Sequence, residues 1–429
     1  MSFTGISRRQ ALIGIAALSA TLPCTRSRVF AEAPKAAAPR SEPAKPFAAL
    51  FGTPTRGRIQ LDRSSYDVGQ QTLLWNLSNT WVKGTPGGSH IRGSARTLLN
   101  LQSSHDCVFE DIVFEVTANT SATSSYHGVV RAADAMLRNH RFVRCSFIVR
   151  QANQNAIKII AEKGDAHVEG LHFEDCVIDG AGRMGIELQN HGPDNAERLV
   201  DFRWQGGAVR NTGLISGAGM GISLSGTGTD HVVDTLFENN RYAALENVGS
   251  SNSRFSGRSR SQTRAKTFPV SFTNKRPMRN NVIADFVCLD RASGGCRIWN
   301  QVDLTMRDNR FIVSDAVDFR GVANLRSSGD SYDSSGPFVM TVDQYPASGR
   351  ATQGNLWDAL TLDGRHGSAG ANSPVRFSGS TTRDNVLRNV AIWKGQAAQG
   401  KTVANALSKA GGGRGNVLSG TVSINGRRM

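Results

Sequence analysis

Seven short segments of this chain set one residue between neighbours that are mostly apolar: Leu99-Asn100-Leu101, Val130-Arg131-Ala132, Ile157-Lys158-Ile159, Ile186-Glu187-Leu188, Ile222-Ser223-Leu224, Leu245-Glu246-Asn247 and Val270-Ser271-Phe272. In an extended strand, alternate side chains point to opposite faces, so the flanking residues turn inward and the central ones outward. Stacked as parallel rungs, the central residues form one file: Asn100, Arg131, Lys158, Glu187, Ser223, Glu246 and Ser271. Adjacent rungs are ~4.8 Å apart, which makes Arg131, Lys158 and Glu187 neighbours. A lysine between a cation and a carboxylate on a rigid sheet is a candidate for proton transfer. The cation lowers its proton affinity and the carboxylate raises it, so the sequence leaves the net direction open.

Two chemistries use such a file: β-elimination is the leading expectation, and hydrolysis is its alternative. β-Elimination of a uronate needs a cation to neutralise the carboxylate, a base for the C5 proton and an acid for the departing oxygen. Arg131 suits the first role and Lys158 the second, with Glu187 orienting the lysine or binding a cation. His127 and Tyr126 are alternative proton-transfer groups. Hydrolysis instead uses Glu187 and Glu246, two rungs or ~9.6 Å apart along the backbone, near the separation of an inverting carboxylate pair. Asn100, Gln189, Ser223 and Ser225 extend a polar strip suited to sugar hydroxyls, and Trp299 is placed to stack on a sugar ring. The competing structural reading is a cross-strand salt-bridge ladder that binds or merely stabilises.

The elements that position this file also repeat. Phe109-Glu-Asp-Ile-Val-Phe114 matches Phe142-Val-Arg-Cys-Ser-Phe147 and Phe173-Glu-Asp-Cys-Val-Ile178, with weaker echoes from Leu199, Phe237, Ile283, Met306 and Leu387. Long helical periodicity is absent, and short apolar runs are broken by Gly, Asn, Asp and Ser, which predicts an all-β chain. One coil cannot bury its apolar face alone, but stacked coils share an interior, so a solenoid follows. Asn240 and Asn309 are candidates for a turn ladder. Residues 249–281, rich in arginine and lysine, and residues 324–336, rich in Ser, Gly and Asp, read as enlarged loops. In the first, Arg254 and Arg258, with Arg260, Arg264 and Lys266, are candidates to hold an anionic chain.

Over about residues 90–395 this pattern resembles the single-stranded right-handed parallel β-helix of the pectate-lyase-like superfamily. The resemblance implies a carbohydrate-active protein, either a polysaccharide lyase or a glycoside hydrolase. Some lyases of that fold use Lys and Arg on neighbouring coils, sometimes with calcium held by acidic residues. No metal ligands are assigned here, and calcium is the one cofactor the resemblance suggests. A non-catalytic polysaccharide-binding solenoid is the alternative from another class, since this fold carries many activities.

Composition narrows the partners. The formal charge of +15 favours an acidic one, and no nucleic-acid-binding signature is present. Residues 1–31 read as an export signal, with Ser7-Arg8-Arg9-Gln10-Ala11-Leu12, an apolar stretch to Ala20 and Val29-Phe30-Ala31 for cleavage. It resembles a twin-arginine signal, implying a periplasmic or secreted bacterial protein. Removing its four arginines leaves +11. Beyond it, no apolar run is long enough to span a membrane. Residues 32–89 are expected as an Ala/Pro-rich leader and N-terminal cap, and 396–429 as a C-terminal cap or tail. Cys107, Cys145, Cys176, Cys288 and Cys296 are too loosely spaced for a disulfide framework and read as buried apolar residues. The solenoid is expected to be a monomer that acts on acidic polysaccharide.

Overall fold

The computed structural model describes residues 57–261, 268–289, 294–366, 374–394, 407–410 and 414–429. The expected export signal, the leader through residue 56, Arg264 and Lys266 lie outside the described residues.

The repeat that begins at Phe109 explains how the chain coils. Its third residue, Asp111, has φ 58°, and the equivalent Arg144 and Asp175 have φ 50° and 51°. Left-handed backbone at that point turns a corner between Ser104–Glu110 and Ile112–Val116, and the same corner recurs one coil later. Asp and Asn tolerate this conformation better than other side chains, which accounts for their recurrence at corners. The repeat therefore supplies two strands by itself, and the segment carrying the polar file supplies a third.

The strands stack into a 26-stranded sheet, which holds both corner strands of each coil, a 13-stranded sheet and a two-stranded one, all parallel apart from the pairing of Arg427–Arg428 with Val417–Ile424. The chain is a right-handed parallel β-helix, the hand in which parallel crossovers are almost always made. The 13-stranded sheet runs from Leu73–Trp75 to Leu407–Ala410, so the stack extends past residues 90 and 395 at both ends. Val130, Ile157, Ile186 and Ile222 are fully buried in its core, as the alternation requires. Aromatic rings stack up the interior: Phe109 on Phe142 at 4.8 Å, Phe142 on Phe173 at 4.9 Å and Phe173 on Trp204 at 5.1 Å.

Some expectations are corrected. Trp204, not Leu199, lies opposite Phe173, and Leu199 pairs with Val168. Both are large, apolar and buried, so hydrophobicity alone does not choose between them. The basic segment is not a loop there: Arg254–Arg260 is a strand paired with Val232–Glu238 and Val282–Leu289. Arg326–Ser328 and Ser331–Ser334 are likewise strands in register with their neighbours. Glycine and serine fill inward positions such as Gly257, Ser259, Ser327 and Ser334, which hides the apolar alternation.

Asn240 and Asn309 do bond to the preceding coil, at the carbonyls of Val209 (3.1 Å) and Ile283 (2.8 Å). A continuous ladder forms further along, from Asn355 to Asn385 (2.7 Å) and Asn385 to Asn416 (2.8 Å). The five cysteines are buried and free. Among the described residues, no helix is long and apolar enough to cross a membrane.

Candidate functional site

The file is in register from end to end. Asn100 pairs with Arg131, Arg131 with Lys158, Lys158 with Glu187, Glu187 with Ser223, Ser223 with Glu246 and Glu246 with Ser271. It then continues through Arg297, Asp318, Thr341 and Arg376, which the sequence pattern had not joined to it.

Lys158 departs from expectation in one respect: it stands on the outer file but is fully buried. Its strand, Ala152–Ile160, is buried along its whole length between Thr120–Ala133 and Ile186–Asn190. The ammonium meets Glu187 Oε2 at 2.8 Å and donates to Gln189 Oε1. Arg183 Nη1 reaches the same Glu187 oxygen at 2.7 Å, and Asn155 Nδ2 donates to it at 3.0 Å. Arg183 Nη1 also donates to Asn155 Oδ1 at 2.9 Å, closing a compact cluster. Burial draws Lys158 below the ordinary lysine value, against the pull of Glu187. That settles the direction left open by the sequence. It also removes the premise that Lys158 faces solvent.

The two carboxylates of the file have opposite surroundings. Burial raises the affinity of Glu187 for a proton, but Lys158 and Arg183 outweigh it and hold the group below the usual carboxylate range. Glu246, half-buried, accepts at its Oε2 from Ser223 Oγ at 2.6 Å and has no ion pair among the described residues. Burial pushes its proton affinity up, the Ser223 hydrogen bond opposes this, and the charge of Glu187 adds to the rise. One carboxyl is thus kept ionised and the other held toward its acid form, on the same face.

Nearer the N-terminus of the sheet, Arg131 donates to the Tyr126 carbonyl (2.9 Å) and to Asn100 Oδ1 (3.3 Å). His127 lies beside it, with Nδ1 3.1 Å from Thr97 Oγ1. Burial, then Arg131 and Arg96, lower its pKa and favour the neutral imidazole. Tyr126 is exposed. Toward the other end, Gln189 Nε2 donates to Glu162 at 2.6 Å, and His191 Nε2 is 3.0 Å from Ser225 Oγ. Trp299 flanks the file beyond Glu246, and its Nε1 donates to Asp318 Oδ2 at 2.9 Å.

Arg254 and Arg258 are exposed, but their strand belongs to the 26-stranded sheet and does not join the file. Among the described residues, one group of three possible metal ligands is present: Asp333, Asp363 and His366. The aspartates lie on the 26-stranded sheet, so a calcium site at the file gains no ligand set from them. Arg183, Asn155, Glu162 and Arg297 are the members of the site that sequence reasoning missed as functional partners. Arg183 lies outside the apolar alternation, four residues before Glu187, and no periodicity points to it.

No family model matches the chain, and no curated protein matches it in sequence. Among solved structures, the surface adhesin PfbA of Streptococcus pneumoniae aligns with a TM-score of 0.50 at 10% identity, covering 86% of each chain. The A-module of a mannuronan C-5 epimerase from Azotobacter vinelandii aligns at 0.48 and 10% identity, covering 87% of this chain and 93% of its own. A tailspike of an E. coli bacteriophage, solved with a pentasaccharide, aligns at 0.44 and 10% identity, over 86% and 65% of the two chains. What this chain shares with such proteins is the parallel β-helix itself.

Proposed function

We propose that this chain is a polysaccharide-cleaving enzyme that works on the outer face of the 13-stranded sheet. Glu246 is the proton donor to the departing oxygen, and Glu187 is the ionised carboxylate facing it across Ser223. The observation that carries this reading is the placement of the two carboxyls two rungs apart on one file, Glu187 ion-paired to Lys158 and Arg183 and Glu246 bonded to Ser223, which favours the ionised form of the first and the acid form of the second. An acid and a base whose surroundings push them apart are what glycosidic hydrolysis requires. Two rungs separate them, ~9.6 Å between backbones, which leaves room for a water between base and sugar. Arg183 and Lys158 then hold Glu187 in place and in its charged form. The twin-arginine-like segment, the net positive charge and the β-helix support an exported enzyme of the pectate-lyase-like kind.

Elimination is the second reading, and a different pair favours it. Arg131 would neutralise a uronate carboxylate beside the neutral imidazole of His127, with Tyr126 exposed as a proton donor. Lys158 is a poor base for this step, because its ammonium is fully buried and bonded to both Glu187 and Gln189, whereas the Glu187 side chain keeps 8% exposure.

Incubation of the purified protein with a panel of uronate-containing, sulfated and neutral polysaccharides separates the two. New reducing ends without the ultraviolet absorbance of an unsaturated sugar support hydrolysis through Glu246. Unsaturated product supports elimination at His127 and Arg131. Neither product on any polymer overturns the enzymatic reading in favour of a binding solenoid.

A further inference from the structure

Past Ser271 the file and its flank carry arginines set on aromatic rings. Arg297 Cζ lies 3.8 Å from the centroid of the Phe268 ring and 5.4 Å from that of Trp299. Arg320 lies over the other part of the strip, 4.8 Å from the Trp299 ring. Arg376, three rungs beyond Arg297 on the same file, sits 4.8 Å from Phe338.

These arginines differ in what occupies them. Arg320 Nε is bonded to Asp318 at 2.7 Å, and the same carboxylate accepts from Trp299 and from Thr341. Asp318, the rung neighbour of Arg297, is therefore already committed. Among the described residues Arg297 makes no ion pair, and its Nη1 lies 3.5 Å from Tyr242 Oη. The Nε of Arg376 is buried and meets no acceptor among the described residues.

We infer that Arg297, with Phe268 and Trp299, forms a subsite for an acidic sugar unit two rungs from Glu246, so that the chain cleaved there carries carboxylate or sulfate groups. The rings hold the planar guanidinium in place by cation–π contact while its N–H edge stays available for a bidentate contact with an anionic oxygen pair. An aromatic face beside that cation also meets the apolar face of a pyranose. The interval from Arg297 to Glu246, ~9.6 Å of backbone, equals that from Glu246 to Glu187. One extended chain along the file would span all three, and Arg376 continues the strip for a further acidic unit.

This inference rests on the reading that the face binds a polysaccharide, and the test keeps the two apart. Full-length Glu246→Gln protein is titrated by calorimetry with tetragalacturonate, a heparin tetrasaccharide and cellotetraose. One acidic ligand is expected to bind more tightly than cellotetraose, and which one it is identifies the anionic group. Adding Arg297→Gln is expected to weaken that acidic ligand at least about tenfold, as loss of a charge-assisted pair should, with neutral binding unchanged. Arg297→Lys, which keeps the charge but not the fork, is expected to restore part of it. Equal affinity for acidic and neutral ligands, or an Arg297→Gln protein that binds the acidic one as before, overturns the inference and leaves the glycan face standing. A parent that binds none of the three overturns that reading, and the inference with it.

Discussion

Glu187 and Glu246 project from one face of one sheet with Ser223 between them, and hold their protons oppositely. The acid form of Glu246 is the one that serves departure of an oxygen, so turnover should fall as pH rises through its pKa. That limb is expected above the ordinary carboxylate range of about 4.3. Ser223→Ala removes a hydrogen bond that favours the ionised form and should move the limb higher still. A kcat–pH profile of the two proteins measures the displacement, and a limb that moves down would contradict the assignment.

Lys158 contributes chiefly by keeping Glu187 charged inside the protein. Its ammonium is fully buried against a carboxylate that is itself almost fully buried. Lys158→Ala leaves that charge with Arg183 and Asn155 alone and should cost about 3 kcal/mol, as breaking a buried pair does. In the double variant Lys158→Ala/Glu187→Gln, part of that loss should return, because the buried carboxylate loses its charge together with the ammonium and Arg183, at 13% exposure, is the one charge left without its partner. Urea denaturation of the single and double variants supplies the cycle. A Lys158→Ala protein of unchanged stability would show that the pair carries no structural weight.

Asp330 is a second buried carboxyl, and it acts on stability rather than turnover. Burial pushes it up to about 6, although Ser327, Asn309 and Tyr332 all donate to it. The folded protein therefore binds this proton more tightly than the unfolded chain, whose aspartate titrates near 3.8. The stability from Asp330 is full below pH 3.8 and is lost as pH rises through about 6. Asp330→Asn should make the fold more stable than the parent by roughly 2–3 kcal/mol at pH 7.5 and by little at pH 4.

Two of the buried histidines act in the other direction. His140 and His231 are lowered to about 4 by burial, so their contribution is lost as pH falls from 6.5 toward 4. The stability difference between Asp330→Asn and the parent should therefore shrink steadily as pH falls from 7.5 to 4. A parent and variant with parallel curves would contradict the Asp330 assignment.

Seven rungs of the site were legible because burial fixes the register of a strand. Moving Ile157 by one residue would turn every inward side chain of its strand outward. Ile157 is fully buried between Val130 and Ile186. Ile157→Asp should accordingly unfold the protein, by placing an unpaired charge in the shared core, and loss of the β-sheet circular dichroism would register it.

What was not legible follows from where the partners originate. Nothing in the alternation around Lys158 shows that its strand is closed in along its whole length, or that Arg183 and Asn155 converge on Glu187. The strand Arg254–Arg260 was hidden because it turns small residues inward, so a regular coil reads as a basic loop. Left-handed Asp111 and Asp175 were present in the Phe repeat, but their meaning as corners emerges only with the backbone.

The central claim is that Glu246 donates the proton in glycan cleavage. Its most direct test is kcat of Glu246→Gln against the parent on whichever polymer yields product, with affinity measured alongside. If Glu246 is the general acid, kcat falls at least about a hundredfold, typical of such a loss, with binding retained. A Glu246→Gln protein that turns over at the parental rate would contradict it.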